Sequence, residues 1–190
     1  AEDGIRYYVR SLEFRRVLFR SEKMRTDNSA EFLVLHFGAY SNEILMSEGM
    51  QYEKTLPHHG EVTCYDHSVS VAWLSTRLAE HFHYNVDMKS LVRGALLHDY
   101  YLYDWHAAND GHHLHGFYHA KRALRNAESD FSLSDIERDI IAKHMFPLNP
   151  QLPQYIESVI VTVADKVCAM REVLHYIRKK QVKGRKNAAH

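Results

Sequence analysis

The sequence is poor in features that would assign it to several large classes of protein. Only two cysteines occur, Cys64 and Cys168. They are too few for a disulfide framework, and both sit in apolar patterns, so they read as buried thiols of a reducing compartment. An excess of one charge is also missing, because 24 Lys plus Arg balance 24 Asp plus Glu. That balance argues against a chain whose main task is to coat nucleic acid or an anionic membrane. No apolar run approaches the roughly 20 residues that span a bilayer, and no secretory h-region with a cleavage site is found. Repeats and low-complexity segments are lacking as well. What remains is a cytoplasmic globular chain whose 190 residues fit one domain with an ordinary core.

What is abundant is histidine, at fifteen residues spread through the chain. The spread excludes a tag, and imidazole is the commonest side-chain metal ligand, so the expectation of a metal site rises. The two ends differ from the rest. Ala1–Ser21 is arginine-rich without helix-capping logic, and its stretches Ala1–Arg6 and Leu12–Ser21 resemble translated sequencing-adapter DNA. A non-native leader is the expectation there, with Met24 a candidate start and a basic N-terminal helix the alternative. After Tyr176 the chain turns basic, with Arg178, Lys179, Lys180, Lys183, Arg185 and Lys186. This is the composition of a solvated, partly disordered tail, weak contact with a phosphate-rich partner being the other reading.

From Asn28 onward the periodicity is helical. Phe32, Leu35 and Phe37 with Ile44, Leu45 and Met46 predict one or two short helices before a break at Pro57 and Gly60. A helix over 62–82 follows, with the apolar stripe Val71, Leu74, Leu78, Phe82; one turn back, the stripe lands on His67. Asp87 can cap the next helix. Its buried face is Met88, Leu91, Val92 and Ala95, and reaches Asp99, with His98 beside it. A polar, aromatic loop runs from Tyr100 to His115. His119, Ala123 and Ala127 then share a helix face whose small residues permit close packing. Ser134 and Glu137 form a capping box before the stripe Ile136, Ile140, His144, which Pro147 ends. Pro153 suits the first turn of the last helix, drawn to Ile177 with Asp165 near its middle. Val159–Val163 passes for a strand on propensity, but the length of the pattern and the lack of a partner strand favour a buried helix.

Five helices thus place a His or an Asp on or beside their apolar face. Burying one such group without a partner costs several kcal/mol. A single histidine is readily explained by a hydrogen bond, but Asp165, amid Val, Ala and Cys, needs its charge neutralised. Their joint occurrence favours a shared cation between the helices. His98 and Asp99 splay by about 100° on a helix, so both reach one centre only near a helix end or between two metals.

The series His67, His98-Asp99, His119, His144, Asp165 resembles the HD-domain superfamily of metal-dependent phosphohydrolases, whose pattern is H…HD…D. The two added histidines resemble its six-ligand, two-metal branch. In that branch the first added His opens a helix as His-Pro-x-x-Gly. Here His119-Ala120-Lys121-Arg122-Ala123 carries Ala at both the Pro and the Gly places, and His115 is the competing candidate. Ile140–His144 resembles the segment supplying the next ligand, and Ala164-Asp165-Lys166 the closing Asp. The resemblance covers about His58 to Met170. It implies an all-α HD-domain helical bundle over 58–177, preceded by an N-terminal helical segment, 28–57, and followed by the basic tail, 178–190. The cyclic-dinucleotide branch is not matched. Its paired His residues and Gly-Tyr-Pro signature do not follow His144, and Tyr100, Tyr101, Leu102 and Tyr103 stand where it has a Lys.

The resemblance implies hydrolysis of a phosphomonoester or phosphoanhydride, in a nucleotide, by a metal-activated hydroxide. Its cofactor is a divalent transition metal, two per chain, with Fe or Mn favoured and Co, Ni or Zn as alternatives. Asp99 bridges in this scheme, His67, His98 and Asp165 serving one metal and His119 and His144 the other. Asp99 and Asp165 are the catalytic candidates. Lys166, Lys143, Lys121 and Arg122 are candidates for phosphate contacts, or are solvated cations. The aromatic loop Tyr100–His106 could cover the site and stack a flat group, or pack against the helices. His112 and His113 could join the site or sit at the surface, the surface being the expectation. A mononuclear site of His67, His98, Asp99 and Asp165, a di-iron oxygenase, and a non-catalytic nucleotide-sensing domain stay open. The partner is a small phosphorylated molecule, with no membrane and no dedicated nucleic-acid binding.

Overall fold

The computed structural model describes residues 28–58, 62–103 and 115–187, with side chains described over 37–58, 62–103 and 118–181. The leader Ala1–Ser21, the break at Gly60, the loop residues Asp104, Trp105 and His106, and His112 and His113 lie outside the described residues. Among the described residues there are seven helices: α1 (Asn28–Leu45), α2 (Glu48–Glu53), α3 (Cys64–His81), α4 (Met88–Leu97), α5 (His115–Asp130), α6 (Asp135–Lys143) and α7 (Ile156–Asn187). No named strand occurs among the described residues, only an isolated bridge between Pro57 and Thr63. None of these helices is long and apolar enough to cross a membrane.

Capping side chains start the helices where the backbone N–H groups need acceptors. Thr63 accepts from Asp66 N at 3.1 Å ahead of α3, and Asp87 from Ser90 N at 3.1 Å ahead of α4. Ser134 accepts from Glu137 N at 3.1 Å while the Glu137 carboxylate accepts from Ser134 N at 2.9 Å, completing the expected box at α6. The last helix departs from expectation at both ends. Pro153 stands outside it, and Gln154 N–H instead donates to Asp139 on α6 at 2.9 Å, fixing the entry to α7 at Ile156. At the far end the helix does not stop at Ile177 but runs through the basic stretch to Asn187. Lys and Arg are good helix formers, and cations suit a helix C-terminus.

α4 is the central element, with every residue from Ser90 to Leu97 buried. It lies among α1, α3, α6 and α7. At Gly94 the approach of α6 is so close that a Cβ would stand 2.5 Å from Ile140 Cδ1. Arg93, also buried, ties three segments together. It donates to Glu137 at 2.7 Å, to Glu43 at 2.5 Å and to the Ser132 carbonyl at 3.3 Å. Phe37, Ile44, Leu45 and Met50 of α1 and α2 join one core with Leu91, Leu96, Leu97, Ile140 and Ile141.

On α3 the buried face differs from the stripe Val71, Leu74, Leu78, Phe82. Leu74 and Leu78 are only partly buried, and Phe82 is 56% exposed. The buried face is His67, Ser68, Val71, Ala72, Ser75, Thr76 and Ala79. These small side chains let α3 approach α4 and α7 closely, which pushes the bulkier leucines to the flank. Tyr100 and Tyr101 are buried core residues rather than a cover. The Tyr101 hydroxyl lies 2.9 Å from Cys64 Sγ, and Cys64 and Cys168 are both buried thiols.

Candidate metal centre

Helix ends aim most of the side chains in question. His98 and His144 each occupy the C-cap position of a helix, α4 and α6. The His98 Nδ1–H donates to Ala95 O at 2.7 Å, and the His144 Nδ1–H donates to Ile141 O at 2.9 Å. In both, the ring satisfies a carbonyl three residues back, one of those a helix C-terminus leaves without a partner. That bond fixes the tautomer and turns a lone pair on Nε2 inward, as metal-ligating histidines require. Asp99 follows His98 directly, so the helix end solves the splay of the adjacent pair. His67 lies in the second turn of α3, His119 in the second turn of α5, and Asp165 in the third turn of α7.

All six residues come together. His67 Nε2 is 3.2 Å from Asp165 Oδ1 and 4.0 Å from Asp99 Oδ2. His98 Nε2 is 3.5 Å from Asp99 Oδ2 and 3.8 Å from Asp165 Oδ1. On the other side of Asp99, Oδ1 is 3.3 Å from His119 Nε2 and 3.4 Å from His144 Nε2, and those two nitrogens face each other at 2.8 Å. Two donors about 2.1 Å from one ion, at angles between octahedral and tetrahedral, lie about 3.0–3.4 Å apart. Most of these pairs fall in or close to that range. The buried His98 Nε2 has no hydrogen-bond partner among the described residues, though a nitrogen so placed needs one. The donor set and this orphaned atom fit a cation, with His67, His98 and Asp165 as one group and Asp99, His119 and His144 as another.

The protonation states agree. Burial opposes ionisation of Asp99, but His98 beside it and the close imidazoles of His119, His144 and His58 hold its carboxyl well below the usual range. Asp165 is likewise held down against burial, chiefly by His67. His98 is pushed down to about 4 by burial and stays neutral. His67 goes the other way: burial lowers it, yet hydrogen bonds to Asp165 and Glu172 raise it to about 10. An arriving cation must displace that proton.

The remaining candidates divide. Lys166 Nζ donates to the His144 carbonyl at 2.9 Å and stands 3.8 Å from Asp165 Oδ2, beside the cluster. Lys143 is paired with Asp139 four residues earlier on its own helix. Arg122 is exposed, its guanidinium 4.4 Å from the ring centre of Tyr103, and Lys121 is exposed. His115 is the first residue of α5, and its side chain lies outside those described.

Three residues at the centre escape the sequence reading: His58, Glu172 and Glu53. His58 Nε2 is 3.2 Å from Asp99 Oδ2, and Glu172 Oε1 accepts from His67 Nδ1 at 2.9 Å. Glu53 is wholly buried, and neither of its oxygens has a hydrogen-bond partner among the described residues. Burial, then the charge of Asp99, raises its carboxyl well above the usual range. The seven-residue step from Asp165 to Glu172 preserves one helix face and is a legible signal. His58 follows Pro57 in an irregular stretch and offers none.

A bundle of helices whose ends gather imidazoles around a shared carboxylate defines a class, the helical proteins with buried donors able to hold a cation. The comparison with family models makes this specific: the HD domain model matches residues 64–170, more than half of the chain. The chain belongs to the HD domain family, within the metal-dependent HD hydrolase superfamily. Searches of curated proteins and of solved structures return no match.

Proposed function

We propose that the chain is a metal-dependent phosphohydrolase acting on a phosphomonoester or phosphoanhydride of a nucleotide. Two divalent transition metals serve it, with Fe or Mn preferred for a mixed nitrogen and carboxylate site. The observation that carries this reading is the division of Asp99, with Oδ2 facing His67 and His98 and Oδ1 facing His119 and His144. One carboxylate touching two imidazole groups is suited to bridging two ions. His67, His98 and Asp165 would hold one, and His119 and His144 the other. When bound, the metals supply Lewis acidity toward water and toward the phosphoryl oxygens.

The chain's own groups do the rest. Asp99 and Asp165, both held ionised, orient the attacking water. Lys166, anchored on the His144 carbonyl beside Asp165, meets a phosphoryl oxygen as a point charge. Tyr103, half-buried and backed by Arg122, offers a flat surface for a base at the edge of the loop.

The test is phosphate release under nitrogen from a panel of phosphomonoesters and nucleoside phosphates, using Mn- or Fe-loaded protein. Release is expected for the wild type, falling about 100-fold or more in Asp99→Asn. For Lys166→Ala, KM is expected to rise more than kcat falls. Oxygen uptake without phosphate release, or inertness of the loaded protein toward the whole panel, sinks the proposal.

A further inference from the structure

His58 and Glu172 lie on either side of the residues the family model matches, 64–170, yet both reach into the centre. The backbone pins His58 in place. Its N–H donates to Val62 O at 2.9 Å, Cys64 N–H donates to Leu56 O at 3.0 Å, and Pro57 bridges to Thr63. The ring is buried and stacks on His67, with centroids 4.0 Å apart and planes 21° from parallel.

Glu172 holds the His67 ring from outside and approaches that of His58. Oε1 takes the His67 Nδ1–H at 2.9 Å, and Oε2 lies 3.4 Å from His58 Nδ1. Both Nε2 atoms are thereby aimed at Asp99. This repeats the device at His98 and His144, where an acceptor outside holds Nδ1 and Nε2 points inward. His67, His98 and His144, all of the expected ligand set, share the arrangement, and His58 lies 3.4 Å from the same carboxylate that holds His67.

His58 also stands between two carboxylates. A neutral imidazole carries one N–H, so it turns a lone pair toward either Asp99 or Glu172. Its Nε2 stands 3.2 Å from Asp99 Oδ2, and His58, His67 and Asp99 bring their donor atoms within 4.8 Å of one another. At that spacing three donors can close on one cation.

We propose that His58 is a further metal ligand on the His67 side of Asp99, and that Glu172 is the positioning carboxylate for His58 and His67 together. This rests on the reading of the cluster as a metal centre and not on the reaction it performs.

Cobalt(II) titration of the full chain, followed by its visible absorption and by competition with a chelator, tests the assignment without substrate. In His58→Ala the Kd for the tighter cobalt is expected to rise about 10- to 100-fold or more. Its absorption band should shift as a nitrogen donor is lost, and added imidazole should restore it. In Glu172→Gln the affinity should fall while the band keeps its shape, because the ligands stay and only their anchor weakens. His58→Gln, which fills the same space without an imidazole, should behave as His58→Ala if the far-ultraviolet circular dichroism of both is unchanged. Wild-type affinity and an unshifted band in both His58 variants overturn the proposal and leave His58 a hydrogen-bonding neighbour of Asp99. Failure of the wild type to bind cobalt overturns the metal centre itself, whereas an inactive but cobalt-binding protein removes only the proposed reaction.

Discussion

Glu53 is the residue whose energetics are most exposed to test. Its carboxyl is wholly buried, has no hydrogen-bond partner for either oxygen among the described residues and lies in the field of Asp99, so its folded-state pKa is raised well above the ordinary value. A group raised in this way contributes stability that is fully present below the ordinary carboxyl pKa and is lost as pH rises through the folded value. Glu53→Gln removes that penalty and keeps the shape. Thermal melts in chelator should show the variant at least as stable as the wild type at pH 8, with the advantage shrinking toward pH 4. A variant less stable by about 2 kcal/mol or more at pH 8 would mean that the glutamate has an unrecognised partner. The six expected donors were legible because a buried imidazole or carboxylate on an apolar helix face stands out against its neighbours. Glu53 was not, since in a six-residue helix with acidic residues at both ends it has no pattern to contradict. His58 escaped for a related reason: it lies between helices, where periodicity says nothing about burial.

At the scale of elements the caps were the most readable feature, because Asp87 and the Ser134–Glu137 pair act within one turn of chain. Packing between helices was less so. On α3 the sequence favoured the bulky stripe through Leu74 and Leu78, while the structure buries Ser68, Ala72, Ser75 and Ala79. Which face of a helix is buried depends on how near its neighbours come, and that is a property of pairs of elements. Gly94 shows the same dependence. A methyl group there would meet Cδ1, Cβ and Cγ2 of Ile140 at 2.5, 3.1 and 3.2 Å. Gly94→Ala should therefore destabilise the chain by about 1–3 kcal/mol, despite alanine's better helix propensity. Chemical denaturation measures this. A loss under about 0.5 kcal/mol would show that α4 and α6 have room to part.

Over the whole molecule, one core and one buried network hold the elements that deliver the donors. Arg93 links α4 to α6 through Glu137 and to α1 through Glu43. α4 ends in His98 and Asp99, and α6 ends in His144, so this network spaces two of the helix ends that face each other across the centre. The all-helical class and the gathering of donors from five helices followed from sequence spacing and the family resemblance. The extent of α7 did not, because a run of Lys and Arg reads equally as tail or as helix until its packing and length are seen. The central claim is that Asp99 joins two groups of imidazoles around cations. Metal analysis of anaerobically purified protein, comparing the wild type with His119→Ala and His144→Ala, tests it most directly. The account predicts two metals per chain in the wild type and one or fewer in each variant. Unchanged stoichiometry in both variants would contradict it.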